Sequence, residues 1–194
     1  MSVKVSMKSD TRNKIIETAS ELFYKKGYNS TGINEIIRES GIAKATLYSH
    51  FKAKEDLLVA YLDAKDAELI KNLTTFCDSK TEGNDRLIAV LEFLAAFFNQ
   101  ENFNGCWCIR SVAEVPRENH RVRMKIKQNK EQFRSFLKQL IIQNKPNLTA
   151  TQQSNLTNRL YLLYEGALTE SHIHQADWPI QTAIKLLKEK LEKI

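Results

Sequence analysis

The chain has 194 residues, of which 42% are hydrophobic and 27% charged, a balance ordinary for a globular protein with a real core in one large domain or in one small and one medium domain. Only 6 glycines and 3 prolines argue against a sheet-rich chain full of tight turns, and a net charge of +6 favours a polyanionic partner without identifying one. The odd, sparse cysteines (Cys77, Cys106, Cys108) do not form a disulfide framework, the N-terminal MSVKVSMKSDTRNK lacks a signal-type apolar run, and no stretch approaches the roughly 20 apolar residues of a membrane span, so a cytoplasmic protein is expected.

In chain order, residues 1–9 read as a flexible lead, and Asp10 or Thr11 is placed to cap a first helix. Ile15, Ile16, Ala19, Leu22 and Phe23 recur at helical spacing along it, and Gly27 ends it after Lys25 and Lys26. Thr31 is placed to cap a second helix, with Ile33, Ile36 and Ile37 inward, and Gly41 supplies the left-handed turn residue after Ser40. A third helix, from about Ala43 to Phe51, buries Leu47 and Phe51 on one face and leaves Lys44, Ala45, Thr46, Tyr48 and Ser49 on others. Two short helices about a glycine turn, with a helix before and a long one after, are an arrangement that holds one helix rigidly enough to enter a DNA major groove.

From Lys54 to about Ser79 the pattern is helical without a break, and TEGNDR at 81–86 is a loop and cap. Residues Leu87 to Phe98 are apolar on nearly all sides, as in a central buried helix. A short helix at about Cys106–Val115 is limited by Pro116, a long one covers 118–144, another covers about 150–175, and a last one starts after Pro179. The expected fold is all-α with about nine helices: a helix-turn-helix domain over 8–60, its motif at 31–50, and a larger helical domain over 61–194.

The segment LFYKKGYNSTGI, continued by INEIIRESGIAKATLYSHFKAKEDLL, resembles the DNA-binding domain of TetR-family transcriptional regulators over about residues 10–60. The resemblance rests on Phe23, Gly27, Tyr28, Thr31, Ile36, Gly41, the Thr46-Leu47-Tyr48 triplet, His50, Phe51, Lys54 and Leu57. It implies a homodimeric regulator, by family default a repressor, that binds a near-palindromic operator and senses a small molecule through its C-terminal domain. Independently, the short or polar residues Lys44, Ala45 and Thr46 suit the start of a helix seated in a groove, with Lys44 able to donate to guanine and Thr46 able to touch a base edge or phosphate. Ser49 belongs to the same candidate surface. The family pattern adds phosphate contacts from Tyr48, His50 and Lys54, and Thr31 opens a helix whose free N–H groups attract phosphate. Lys4, Lys8 and Arg12 are further candidates from the N-terminal arm. Two departures stand out: Ala43 replaces the usual hydroxyl cap of the third helix, and Ala45 stands where many members have glycine.

Beyond residue 60 the resemblance is faint. Aromatic residues with a few polar groups are the material of ligand pockets, and the candidates are Tyr61, Phe93, Phe97, Trp107, Arg110, Tyr164, Glu165 and His172, with an effector of unknown identity. A well-filled helical core accounts for the same residues. Neither Cys106-x-Cys108 nor His172-x-His174 converges on one ion, because positions two apart on a helix point about 200° from each other, so no metal or cofactor is expected. Cys106 is the candidate for oxidant or electrophile sensing, with Arg110 one turn on to lower its thiol pKa. A cysteine-dependent enzyme, with Cys106 or Cys108 as nucleophile and a histidine as base, is an alternative for which the chain offers no assembled motif, and no catalytic residue is assigned. For the dimer, helices at about 150–175 and 180–193 are expected to pair antiparallel with their copies, Gly166 and Ala167 allowing close approach and Leu160, Leu163, Leu186 and Leu187 supplying burial.

Overall fold

The structure, a computed structural model, describes residues 2–194, with side chains described from Asp10 onward. The described residues form nine α-helices and no strand: α1 (Ser2–Lys26), α2 (Ile33–Ser40), α3 (Lys44–His50), α4 (Lys54–Asp78), α5 (Asn84–Phe98), α6 (Trp107–Glu114), α7 (His120–Asn144), α8 (Ala150–His174) and α9 (Trp178–Leu191). The all-α expectation and the helix count hold.

Four local expectations need correction. The chain is helical from Ser2, so Asp10 and Thr11 lie inside α1 rather than capping it; no glycine or proline interrupts that stretch, and Asp and Thr carry only a modest helix penalty. Gly32, not Thr31, is the N-cap of α2. Helix α5 begins at Asn84, before the apolar run, and α9 begins at Trp178 with Pro179 inside its first turn, where the missing N–H of proline has no partner to lose. The other signals act as read. Gly41 takes φ 64° to close α2, and Ala43 caps α3 without a side-chain hydrogen bond. Thr149 and Gln152 form a reciprocal capping box at α8.

Packing divides the chain into two compact units, Met1–Ala67 with Trp107–Asn129, and Glu68–Cys106 with Lys130–Ile194. In the first unit, Ile15, Ala19, Phe23, Ile36, Leu47, Phe51, Leu57, Leu58, Tyr61 and Leu62 are buried. Helix α6 and the start of α7 belong to this unit, a membership that lies far along the chain from residues 8–60. Their attachment is polar and specific. Arg121 pairs with Asp56 at 2.6 Å, Asn119 Nδ2 donates to Glu55 at 2.7 Å, and Asn129 Nδ2 donates to the Leu62 carbonyl at 2.8 Å.

The second unit is a helical core built on Leu73, Leu87, Leu91, Leu94, Phe133, Leu137, Leu156, Leu160, Tyr164, Ile180 and Leu187. Helix α5 supplies its middle, as the nearly all-apolar sequence requires. Among the described residues no helix is long and apolar enough to cross a membrane.

Candidate nucleic-acid interface

Helix α3 is one short rod with two chemically different sides. Leu47 and Phe51 are buried and anchor it, while Ala43, Lys44, Ala45, Tyr48 and Ser49 are exposed and Thr46 and His50 half-buried. The Ser49 hydroxyl donates to the Thr46 carbonyl at 2.7 Å, which leaves its oxygen able to accept. Lys44 and Ala45 stand on the first turn of α3, the end of a recognition helix that contacts base edges. The sequence-predicted residues from Lys44 to His50 therefore share one short element.

Thr31 does not join them. It is fully buried, and its hydroxyl donates to the carbonyls of Gly27 (2.8 Å) and Leu22 (3.3 Å), closing the end of α1. The Thr31 side chain is thus engaged at the end of α1, and the backbone N–H groups that open α2 follow its N-cap, Gly32.

Lys54 is the first residue of α4, and its ammonium sits 4.3 Å from the centroid of the Tyr28 ring. Burial pulls its pKa below the ordinary lysine value, with the Glu114 carboxylate opposing that shift. Arg12, on α1, lies over the Phe51 ring at 5.2 Å. The other two arm candidates, Lys4 and Lys8, lie outside the described side chains. Tyr28 enters the site as a ring under a cation, a role its place in the family pattern did not suggest.

The turn between α1 and α2 is locked by α6. The Asn29 N–H donates to Glu114 Oε2 at 2.6 Å and Asn29 Nδ2 donates to the Glu114 carbonyl at 3.0 Å. Arg110 donates to the Tyr24 carbonyl at 2.8 Å and to Glu114 Oε1 at 3.3 Å.

The predicted sensor residues divide between the two units. Tyr61 and Arg110 belong to the first unit, as does Trp107. Tyr61 is a core ring edge-on to Phe23 at 5.7 Å, and Arg110 donates to Tyr24 and Glu114. In the second unit Tyr164 is buried against Phe133 at 4.8 Å, while Phe93 pairs with Phe76 and Phe97 with Phe103. His172 packs over Gly105 and edge-on to Phe103 at 5.8 Å, with its Nδ1 buried and lacking a hydrogen-bond partner.

Glu165 accepts from Lys130 Nζ at 2.6 and 2.7 Å, and the same ammonium stands 3.4 Å from the Cys106 sulfur. Lys130 is thus a cation beside Cys106, while Arg110 donates to Tyr24 and Glu114. Cys77 and Cys108 are buried, and burial pushes the Cys77 thiol up to about 12, the neighbouring Asp78 adding to it. Among the described residues no group of three or more His, Cys, Asp or Glu is placed to hold a metal ion.

On α8 and α9 the structure sorts the proposed interface leucines. Leu160, Ala167 and Leu187 are buried in their own subunit's core, so they are not available to a copy. Outward on the same helices stand Leu162 at 67% exposure, Ile173 at 64%, Trp178 at 53% and Leu186 at 48%. Gly166 is exposed, and a groove lined by Arg159, Leu163 and Leu186 runs between the two helices.

Known proteins share this arrangement. The family model described as bacterial regulatory proteins, tetR family, matches residues 15–61. The HTH-type transcriptional regulator QacR of Staphylococcus aureus is 42% identical, across 54% of this chain and 77% of that protein. The HTH-type transcriptional repressor NemR of Escherichia coli is 26% identical across 92% of each chain. A solved TetR-family transcriptional regulator from Streptomyces coelicolor superposes with a TM-score of 0.83 at 26% identity, covering 96% of both chains.

Proposed function

The chain belongs to the TetR family of bacterial transcriptional regulators, and from that premise we propose that it is a cytoplasmic homodimeric repressor whose α3 helices read a near-palindromic operator and whose second unit takes a small-molecule effector. The observation that carries the reading is the exposed Lys44, Ala45, Tyr48 and Ser49 surface on a short helix braced by buried Leu47 and Phe51. Lys44 reads a base edge, Tyr48 and His50 meet phosphates, and Lys54 meets one from the head of α4. Residues 8–60 hold this activity, and within residues 61–194 the second unit supplies sensing and pairing. The exposed apolar side chains of α8 and α9 support a dimer through those helices, whose recognition helices would enter successive major grooves about 34–36 Å apart. A gel shift on the DNA upstream of its own gene tests this. Retarded complexes that weaken steeply with salt are expected, and salt-insensitive or absent binding to every intergenic fragment overturns it.

One observation favours a second reading of the trigger. Lys130, 3.4 Å from the Cys106 sulfur, is a cation able to favour the thiolate, and Cys106 is the partly exposed cysteine of the three. In this reading oxidation or alkylation of Cys106, rather than a reversibly bound effector, releases the operator. Loss of DNA binding on treatment with a thiol oxidant, absent in Cys106→Ser, is the expected result; a wild-type protein indifferent to oxidant removes the reading.

A further inference from the structure

We propose that Tyr28 is a positioning residue for DNA binding, its ring face holding the Lys54 ammonium where a backbone phosphate is met. The proposal rests on the reading of Lys54 as a phosphate contact. The 4.3 Å between Lys54 Nζ and the Tyr28 ring centroid is well inside the roughly 6 Å over which a ring face attracts a cation. The ring is not a loose surface tyrosine. It stands edge-on to Phe23 at 5.5 Å, and Phe23 stands edge-on to Tyr61 at 5.7 Å. Phe23 and Tyr61 are both core residues, so the platform is tied to the interior of the first unit. Burial and the nearby Glu55 carboxylate raise the Tyr28 phenol above its ordinary value, which keeps the ring neutral.

The physical consequence is preorganisation. A free lysine side chain samples many rotamers and loses them when it pairs with a phosphate. Held on a ring, Lys54 has already lost part of that freedom before DNA arrives, and less is lost on binding. The attraction comes from the ring face, so the hydroxyl is dispensable and the aromatic ring is not.

The test measures binding of the full-length protein to the upstream fragment retained in the gel shift, across a salt series, for Lys54→Ala, Tyr28→Leu, Tyr28→Phe and the Lys54→Ala/Tyr28→Leu pair. Loss of one phosphate contact per subunit flattens the log–log salt dependence by about 1.8, so the weakening between about 50 and 200 mM salt becomes roughly tenfold smaller. Lys54→Ala is expected to flatten it, Tyr28→Leu to lower affinity with the slope near wild type because the lysine charge still meets its phosphate, Tyr28→Phe to leave slope and affinity at wild-type values, and Tyr28→Leu to add nothing once Lys54 is gone. If Tyr28→Leu weakens binding equally in the presence and absence of Lys54, Tyr28 is only a core residue and the proposal falls. If Lys54→Ala leaves the slope unchanged while wild-type binding remains, the phosphate reading of Lys54 falls and takes the positioning role with it. If the wild-type protein binds no fragment, it is the functional reading itself that fails.

Discussion

The Glu114 carboxylate occupies the space that a side chain at position 27 would need. A Cβ built on Gly27 collides with Glu114 Oε1 and comes within 3.0 Å of Oε2, and Gly27 itself takes φ 94°, a region that disfavours side chains. Glu114 uses that room to accept the Asn29 N–H, so one glycine serves both the turn after α1 and the seat of α6 on it.

Gly27→Ala is therefore expected to destabilise the protein by about 2–3 kcal/mol, from backbone strain together with the clash. Chemical denaturation measures this. Adding Glu114→Ala removes the clash and leaves the strain, so Gly27→Ala should be less damaging in that background. An equal effect in both backgrounds means that the carboxylate is not what limits position 27.

Lys44→Ala should lower operator affinity and relax preference at one base pair per half-site. A lysine donating to a guanine edge contributes about 1–3 kcal/mol of discrimination, or roughly 5- to 150-fold. Competition binding against operators mutated one base pair at a time reads both effects. Unchanged affinity and unchanged preference would place the specificity elsewhere on α3.

Leu162→Glu and Leu186→Glu each put a charge on the exposed apolar side chains of α8 and α9. Light scattering is expected to report a monomer for the double substitution, with the melting temperature within a few degrees of wild type because neither side chain is in its subunit's core. A dimer that survives both substitutions moves the interface off these helices.

The three cysteines should differ in reactivity. Cys77, its thiol pushed up to about 12, remains protonated through the neutral range, and Cys108 is buried. Native-state alkylation near pH 8, followed by peptide mapping, is expected to label Cys106 first, and Lys130→Met should slow that labelling by reducing the thiolate fraction. Labelling of Cys77 at a matching rate would contradict the packing.

Asp56 gives a pH dependence with a defined sign. Its hydrogen bond from Arg121, assisted by the N–H of Ala53, holds its carboxyl below the ordinary value of 3.8. A depressed folded-state pKa contributes stability above the unfolded value, and that stability is lost as pH falls through the folded one. Because the Arg121 side chain is largely solvent-exposed, the contribution is about 0.2–1 kcal/mol at neutral pH. Arg121→Ala should raise the Asp56 titration midpoint seen by NMR and narrow the stability difference from wild type as pH falls through the depressed wild-type titration, until both proteins carry a protonated Asp56. A midpoint that does not move assigns the shift to the backbone hydrogen bond.

The sequence by itself determined what depends on near neighbours along the chain. Helical spacing of apolar residues, Gly41 at φ 64° and a helix stop at Gly27 act within a few residues, so the all-α architecture, the helix-turn-helix and the outward side of α3 around buried Leu47 were legible from the sequence. Only the tertiary structure decided matters that link distant residues or divide an ambiguous pattern. Arg110 is the cation nearest Cys106 in sequence, yet the sulfur meets Lys130, 24 positions away, while Arg110 reaches back 86 positions to Tyr24. Thr31 has the chemistry of a cap, but two carbonyls at the end of α1 turn its hydroxyl inward. On α8, residues Leu160 to Tyr164 are apolar almost all round, so local pattern offers no polar face to orient the helix. Packing against the rest of the second unit buries Leu160 and Tyr164 and leaves Leu162 outside, and that choice is made by the shape of the surrounding core.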